Sequence, residues 1–322
     1  VNQAAGARAA GNGAPRGAVI ECSGLTRRFG ALAAVDGLSL EVAAAEIFAL
    51  VGPDGAGKST LLRMLCGALT PTAGRAIVAG YDVVRDPEAV KARIGYMPQR
   101  FSLYGDLSVS ENLRLYADLY EVSPAEFGPR AARLLDAFRL AGFENRLAQF
   151  LSGGMKQKLA LACTLVHDPE VLFLDEPTSG VDPVSRRQFW RILYDLNRGG
   201  ITVVVSTPYM DEAERASRIG LMDRGRLIAL GDPASLKAEM RGSLFEVVAD
   251  PQEGAKRALR EIAIVESFEV FGDRLHVLVG PAAEAGELER ALAQRGAHVR
   301  VLRQIPPSLE DVFVSRMGGR AL

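Results

Sequence analysis

Nine consecutive residues restrict this chain more than anything else in it: Gly52, Pro53, Asp54, Gly55, Ala56, Gly57, Lys58, Ser59 and Thr60. They follow the apolar run Ile-Phe-Ala-Leu-Val at 47–51 and precede the apolar segment Leu-Leu-Arg-Met-Leu-Cys at 61–66. The order is strand, glycine-rich loop, helix, and the loop matches G-x-x-x-x-G-K-[ST]. Glycines let backbone N–H groups curl around phosphate oxygens, and the helix that follows aims its positive end at them. In such a loop Lys58 bridges the β- and γ-phosphates of a nucleotide and Ser59 ligates Mg²⁺. The motif therefore predicts an α/β fold with a nucleoside triphosphate site.

A second segment supplies acids. Val-Leu-Phe-Leu-Asp-Glu-Pro at 171–177 is an apolar strand ending in Asp175 and Glu176. Asp175 is placed to hold Mg²⁺ through water, and Glu176 to polarise an attacking water. Many strands end in an acid, so this reading draws its force from the loop at 52–60. A third segment, Leu-Ser-Gly-Gly-Met-Lys-Gln-Lys at 151–158, opens another helix. Its Ser152, Gly153 and Gly154 form a second helix N-terminus suited to an anion. Alone it is an ordinary helix cap. The chain has 38 Lys plus Arg, of which only six are lysines, and Lys58, Lys156 and Lys158 lie in these two segments. The pairing suggests a nucleotide held between the glycine loop of one copy and the Ser-Gly-Gly of another.

These motifs, in this order, resemble the ABC ATPases. The resemblance spans residues 18–241. It implies a P-loop ABC-type ATPase domain with a helical subdomain, ATP and Mg²⁺ as ligands, and Glu176, Gln99 and Lys58 as catalytic groups. Phe29 matches the aromatic that stacks on adenine, beside the nucleotide-binding residues 52–60 and 152–154. Gln99 matches the glutamine that contacts Mg²⁺ and the attacking water, so Ser59, Gln99 and Asp175 are the expected metal set. The stretch 100–113 is similar to the groove that receives a membrane subunit. Ser179-Gly180-Val181-Asp182 resembles the loop that links two sites across a cassette dimer. The ending Pro-Pro-Ser-Leu-Glu-Asp-Val-Phe at 306–313 is similar to cassettes of drug or lipid exporters with separate membrane subunits.

The sequence departs from the family pattern twice. Met155 stands where the signature usually has Gln. Pro208 stands where a switch histidine is expected to contact the γ-phosphate and support the catalytic Glu. Proline has neither an imidazole nor a backbone N–H. Losing one preorganised donor typically costs about 10²–10³ in rate. The resemblance therefore leaves a slow or regulatory cassette as an alternative to an efficient one. His167, His276 and His298 are read as surface or loop residues that do not replace it.

Around these motifs, apolar runs of strand length alternate with helical segments at 58–66, 87–93, 109–119 and 128–141. Runs apolar on both faces suit buried parallel strands. Residues 242–322 change pattern to βαββαβ, the order of a small ferredoxin-like α+β domain. A last amphipathic helix follows Pro306-Pro307, with Ser308 as its N-cap. Residues 1–17 hold ten Ala or Gly and are expected to be a disordered tail.

Net charge is −1, which argues against bulk nucleic-acid binding or a polybasic membrane anchor. No run of about 18 uncharged apolar residues suggests a membrane span. The three cysteines are too far apart for metal pairs and suit reduced thiols in a cytosolic protein. The resemblance implies a setting at the inner face of the plasma membrane, reached through integral membrane transporter subunits, and a second ATP-binding cassette as partner. Non-transport relatives acting on DNA carry long coiled coils between the first and third motifs. Only about 90 residues without heptads lie there in this chain.

Overall fold

Three largely apolar strands, Ile47–Val51, Val171–Asp175 and Thr202–Thr207, lie at the centre of a parallel sheet with every residue buried. Its parallel strands lie in the order Arg218–Asp223, Ile47–Val51, Thr202–Thr207, Val171–Asp175, Ile94–Met97, and Arg226–Gly231 is the sixth strand, beside Arg218–Asp223. β-Branched and aliphatic side chains cover both faces, as buried parallel strands require. In the computed structural model, residues 17–100, 103–281 and 285–316 are described. Of the expected tail at 1–17, residues 1–16 lie outside the described residues. The chain forms two units: one ends at Tyr209 and resumes over Ala216–Leu227, and the other holds Met210–Arg215 and the chain from Ile228 onward.

The first unit has a second, antiparallel sheet in the order Leu32–Ala43, Ala18–Phe29, Ala73–Val78, Tyr81–Asp82. One core joins both sheets through the helix Lys58–Leu65, whose Leu61, Leu62, Met64 and Leu65 meet Ile20, Leu25, Phe48, Phe173 and Val204. The helix carrying the glycine loop is thus clamped on both sides. Helices Val109–Leu119, Pro124–Ala137 and Gly153–Leu165 form the helical part. The first opens with a capping box in which Ser108 and Glu111 exchange hydrogen bonds.

The second of these helices corrects the expected span of 128–141. It starts four residues earlier because Ser123 caps it and Pro124 suits its first turn. It stops at Ala137, after which Arg139 takes a left-handed φ of 55°.

The second unit contains strands Ser243–Asp250, Val265–Phe271, Arg274–Val279 and His298–Gln304, with helices Gln252–Glu261 and Ala285–Gln294 between them. All neighbours are antiparallel, in the order Val265–Phe271, Arg274–Val279, Ser243–Asp250, His298–Gln304. This is the ferredoxin-like arrangement that the βαββαβ order implies. Ala255, Ala258, Leu259, Leu288 and Leu292 cover one face against Phe245, Val247, Leu275 and Val277. Helix Leu309–Arg316 begins with Ser308 and Asp311 bonding each other's backbone N–H, at 2.8 and 3.2 Å.

Of the histidines read as surface or loop residues, His167 lies in a turn and His276 in a strand, both half-buried. His276 Nδ1 lies 2.9 Å from the buried Asp311 Oδ1. His167 is stacked on Tyr120 with ring centroids 3.6 Å apart, and its Nε2 lies 2.9 Å from the Ile94 carbonyl. That carbonyl only accepts, so Nε2 carries the proton. Burial holds the His167 pKa below the ordinary histidine value, against the weaker opposing pull of the Ile94 carbonyl. A depressed folded-state pKa contributes stability that is fully present above the unfolded pKa of about 6.5 and is lost as pH falls below it. Melting temperature should therefore drop from pH 7.5 towards pH 5 less steeply in His167→Gln than in the parent chain. Equal slopes would remove His167 as the cause.

Candidate functional site

The parallel register brings the acidic strand to its neighbours with Asp175 opposite Ser206 and Val51 opposite Thr207. All three strands end here, and the carboxyl ends of parallel strands are where α/β sheets bind ligands. Asp175 is fully buried. Its Oδ1 accepts from Ser59 Oγ at 3.0 Å and from Ser206 Oγ at 2.6 Å. Its Oδ2 is buried and has no hydrogen-bond partner among the described residues.

Glu176 follows with a left-handed φ of 48°, a conformation that costs an L-residue about 1–2 kcal/mol. Its N–H is held by Ser206, by Oγ at 3.0 Å and by the carbonyl at 3.1 Å. Its carboxylate accepts from Gln99 Nε2 at 2.9 Å and sits 3.7 Å from Lys58 Nζ. Lys58 is 4% exposed and also donates to the Gly52 and Pro53 carbonyls, at 2.7 and 3.0 Å. Glycine is needed twice in this loop. A Cβ on Gly52 would lie 2.0 Å from the Met222 carbonyl oxygen. One on Gly57, at φ 102°, would lie 2.1 Å from that of Ala34. Asp54 and Gly55 are exposed at the lip, Ala56 is buried, and Thr60 is half-buried.

The helix that leaves Gly57 has neither a side-chain cap nor an acidic residue in its first turn. Its leading N–H groups and dipole therefore favour an anion. The donor set fits a hard divalent cation next to it. Ser59 gives its proton to Asp175, so its oxygen lone pairs are free to ligate. The partnerless Asp175 Oδ2 is a second oxygen of the kind Mg²⁺ takes through water.

The ABC transporter family matches residues 35–179, and the family described as ATP-binding protein DrrA1-3-like, C-terminal domain, matches 231–317. The chain is 39% identical over 306 residues to daunorubicin resistance ATP-binding protein DrrA3 of Streptomyces coeruleorubidus, covering 93% of this chain and 96% of that one. The chain belongs to the ABC transporter ATP-binding proteins. It is also 41% identical over 307 residues to the probable multidrug ABC transporter ATP-binding protein YbhF of Escherichia coli K12. That match covers 94% of this chain and 52% of YbhF, so the chain spans about half the length of the first relatives it matches. Among solved structures it resembles a dimeric ATP-binding cassette in a post-hydrolysis state bound to ADP and Pi. The TM-score is 0.60 and the identity 26%, over 66% of this chain and 98% of that one.

In this ABC cassette the remaining motif residues stand apart from the acidic cluster. Ser152 caps helix Gly153–Leu165, its hydroxyl accepting from Met155 N at 3.3 Å. Ser152 and Gly153 are exposed, and among the described residues no hydrogen bond joins them to Asp175 or Glu176. Phe29 is 47% exposed, with the Arg27 guanidinium 4.6 Å from its ring centroid. One ring face is thereby occupied by a cation. Asp182 caps helix Pro183–Arg198 through Val184 N and Ser185 N, and its hydrogen bonds with Ser185 hold its pKa below the usual carboxylate value. Pro208 is half-buried just past strand Thr202–Thr207.

Two residues were missed from sequence. Ser206 lies under the acidic pair, and its signal was a hydroxyl ending a run of valines. Asn112 is fully buried on helix Val109–Leu119, donating to the carbonyls of Tyr104, Leu107 and Ser108 and accepting from Tyr104 N at 3.0 Å. Its signal was an amide on the apolar face of that helix. Gly57→Ala is expected to lower stability by more than about 1–2 kcal/mol, since it adds a backbone clash to the left-handed penalty. Chemical denaturation measures this, and an unchanged midpoint would contradict the packing around Gly57.

Proposed function

We propose that this chain is the ATP-binding and hydrolysing subunit of an ABC exporter. One observation carries the reading: Lys58, Ser59, Gln99, Asp175 and Glu176 meet in a single hydrogen-bonded and ion-paired cluster at the base of an uncapped helix. In this reading residues 52–60 cradle the phosphates and Phe29 offers its uncovered face to the base. Ser59, Asp175 and Gln99 hold Mg²⁺, which when bound neutralises charge building on the phosphate oxygens. Glu176 takes the proton of the attacking water while Gln99 orients it, and Lys58 steadies the transferred phosphoryl group.

The exposed Ser152 and Gly153, with the half-buried Gly154, complete the site of a second cassette, so that ATP closes two cassettes face to face. The dimeric neighbour supports that geometry. Closure drives integral membrane subunits, and the protein works at the inner face of the plasma membrane without nucleic acid. The relatives' names as drug-resistance and multidrug ATP-binding proteins support export. None of the described helices is long and apolar enough to cross a membrane, which suits membrane subunits on separate chains.

Pro208 favours a second reading, a cassette that binds ATP firmly and turns it over slowly. Its ring supplies neither of the donors that a histidine there would bring to the γ-phosphate. Glu176→Gln is expected to cut steady-state turnover by at least about 10²-fold. Pro208→His is expected to raise it, by up to about 10²–10³-fold. Phosphate release by purified protein measures both. Turnover unchanged in Glu176→Gln would refute the assigned base, and turnover unchanged in Pro208→His would refute the slow-site reading.

A further inference from the structure

We infer that Ser206 is a positioning residue that fixes both acids of the site at once, an inference that rests on Glu176 being the base. Ser206 is fully buried, so no water substitutes for its hydroxyl. That hydroxyl lies between a group that only donates, the Glu176 N–H at 3.0 Å, and one that only accepts, the Asp175 carboxylate at 2.6 Å. Its proton direction is therefore fixed, and the rotor is locked.

Two consequences follow. The Glu176 N–H is tied to the neighbouring strand at both Ser206 Oγ and the Ser206 carbonyl, which pins a backbone held at φ 48°. Releasing the hydroxyl loosens the peptide from which the Glu176 carboxylate is aimed at Gln99 and Lys58. On the other side, Ser206 and Ser59 both bond Asp175 Oδ1, leaving Oδ2 as the oxygen without a partner among the described residues. The carboxylate is thus held in one orientation.

Packing alone does not call for this hydroxyl. Residues 203–205 of the same strand are all valine, and an apolar residue would bury equally well at 206. Two residues on, Pro208 has no hydrogen to donate. Ser206 gives the strand a direct hold on Glu176.

The test measures MgATP turnover of the full-length chain in four forms: parent, Ser206→Ala, Glu176→Gln and the double variant. Ser206→Ala should lower kcat about 10–100-fold, the size of one lost hydrogen bond to a charged group. KM for ATP should stay within about twofold, because the hydroxyl acts on the reacting groups and not on nucleotide binding. In the Glu176→Gln background the same change should cost clearly less than in the parent, because only its hold on Asp175 remains to be lost. Ser206→Thr, which keeps the hydroxyl, should stay within about threefold of the parent chain.

An unchanged kcat in Ser206→Ala, with Glu176→Gln impaired, would overturn the inference alone. Equal losses in both backgrounds, or a Thr variant as poor as Ala, would reduce Ser206 to a structural residue and also overturn it. Unimpaired turnover in Glu176→Gln would instead defeat the underlying assignment of the base. Should Ser206→Ala fail to fold, Ser206→Cys, of similar size and with a weak donor, takes its place in the same cycle.

Discussion

A carboxylate with no exposed surface, set at the tip of an apolar sheet, is the constraint on which the rest of the first unit depends. Removing a charge from water is costly unless hydrogen bonds replace the solvent. Asp175 recovers two of them, from Ser59 on the helix after the glycine loop and from Ser206 on the adjacent strand. Each comes from a different element, so those elements must keep their relative positions for Asp175 to be tolerated at all. Cys66, fully buried nearby, shows the same environment from another side. Burial raises its thiol pKa well above the ordinary value and the charge of Asp175 raises it further, so it stays neutral beside the carboxylate. The sheet, the clamped helix and the acid are one device.

What could be read from the sequence was what the chain encodes locally. The glycine loop declares itself because the close approaches at Gly52 and Gly57 leave room for no side chain. The buried strands declare themselves because both faces are apolar over five or six residues. The ferredoxin-like module showed through its alternation of strand and helix periods. Less legible were Ala73–Val78 and Ile94–Met97, whose short spans contain glycine and a charged or aromatic residue. Their strand character comes from their sheet neighbours, not from their own pattern. Helix Pro124–Ala137 starts earlier than expected because Ser123-Pro124 opens it and its interior Pro129 does not break it.

The candidate site divides along the same line. Lys58, Ser59, Asp175 and Glu176 belong to motifs with a physical reason for their spacing. Gln99 could be placed only by resemblance, since nothing in its own neighbourhood points to a residue 77 positions away. Ser206 was invisible for a related reason. A serine at the end of a valine run is unremarkable until the register sets it opposite Asp175. The partners of His276 and His167 were not legible either, because contact with a distant carboxylate or a stacked tyrosine leaves no local mark. Residues that act through a partner distant in sequence are the ones that periodicity cannot find.

The two helix N-termini offered to a phosphate are physically unequal, and this bears on how the proposed nucleotide sandwich assembles. Helix Lys58–Leu65 has no side-chain cap, so its leading N–H groups lack an internal substitute for an anion. Helix Gly153–Leu165 already satisfies one such group through the Ser152 hydroxyl, at a long 3.3 Å. On the proposed reading the glycine loop, with Lys58 beside it, therefore takes the triphosphate first. The Ser152 hydroxyl can turn to the phosphate afterwards only by giving up a weak bond that holds its own helix. The second contact thus gains less than the first, and it depends on a partner cassette being present. Such an imbalance orders the steps: nucleotide binds one chain firmly, and the nucleotide then recruits the other.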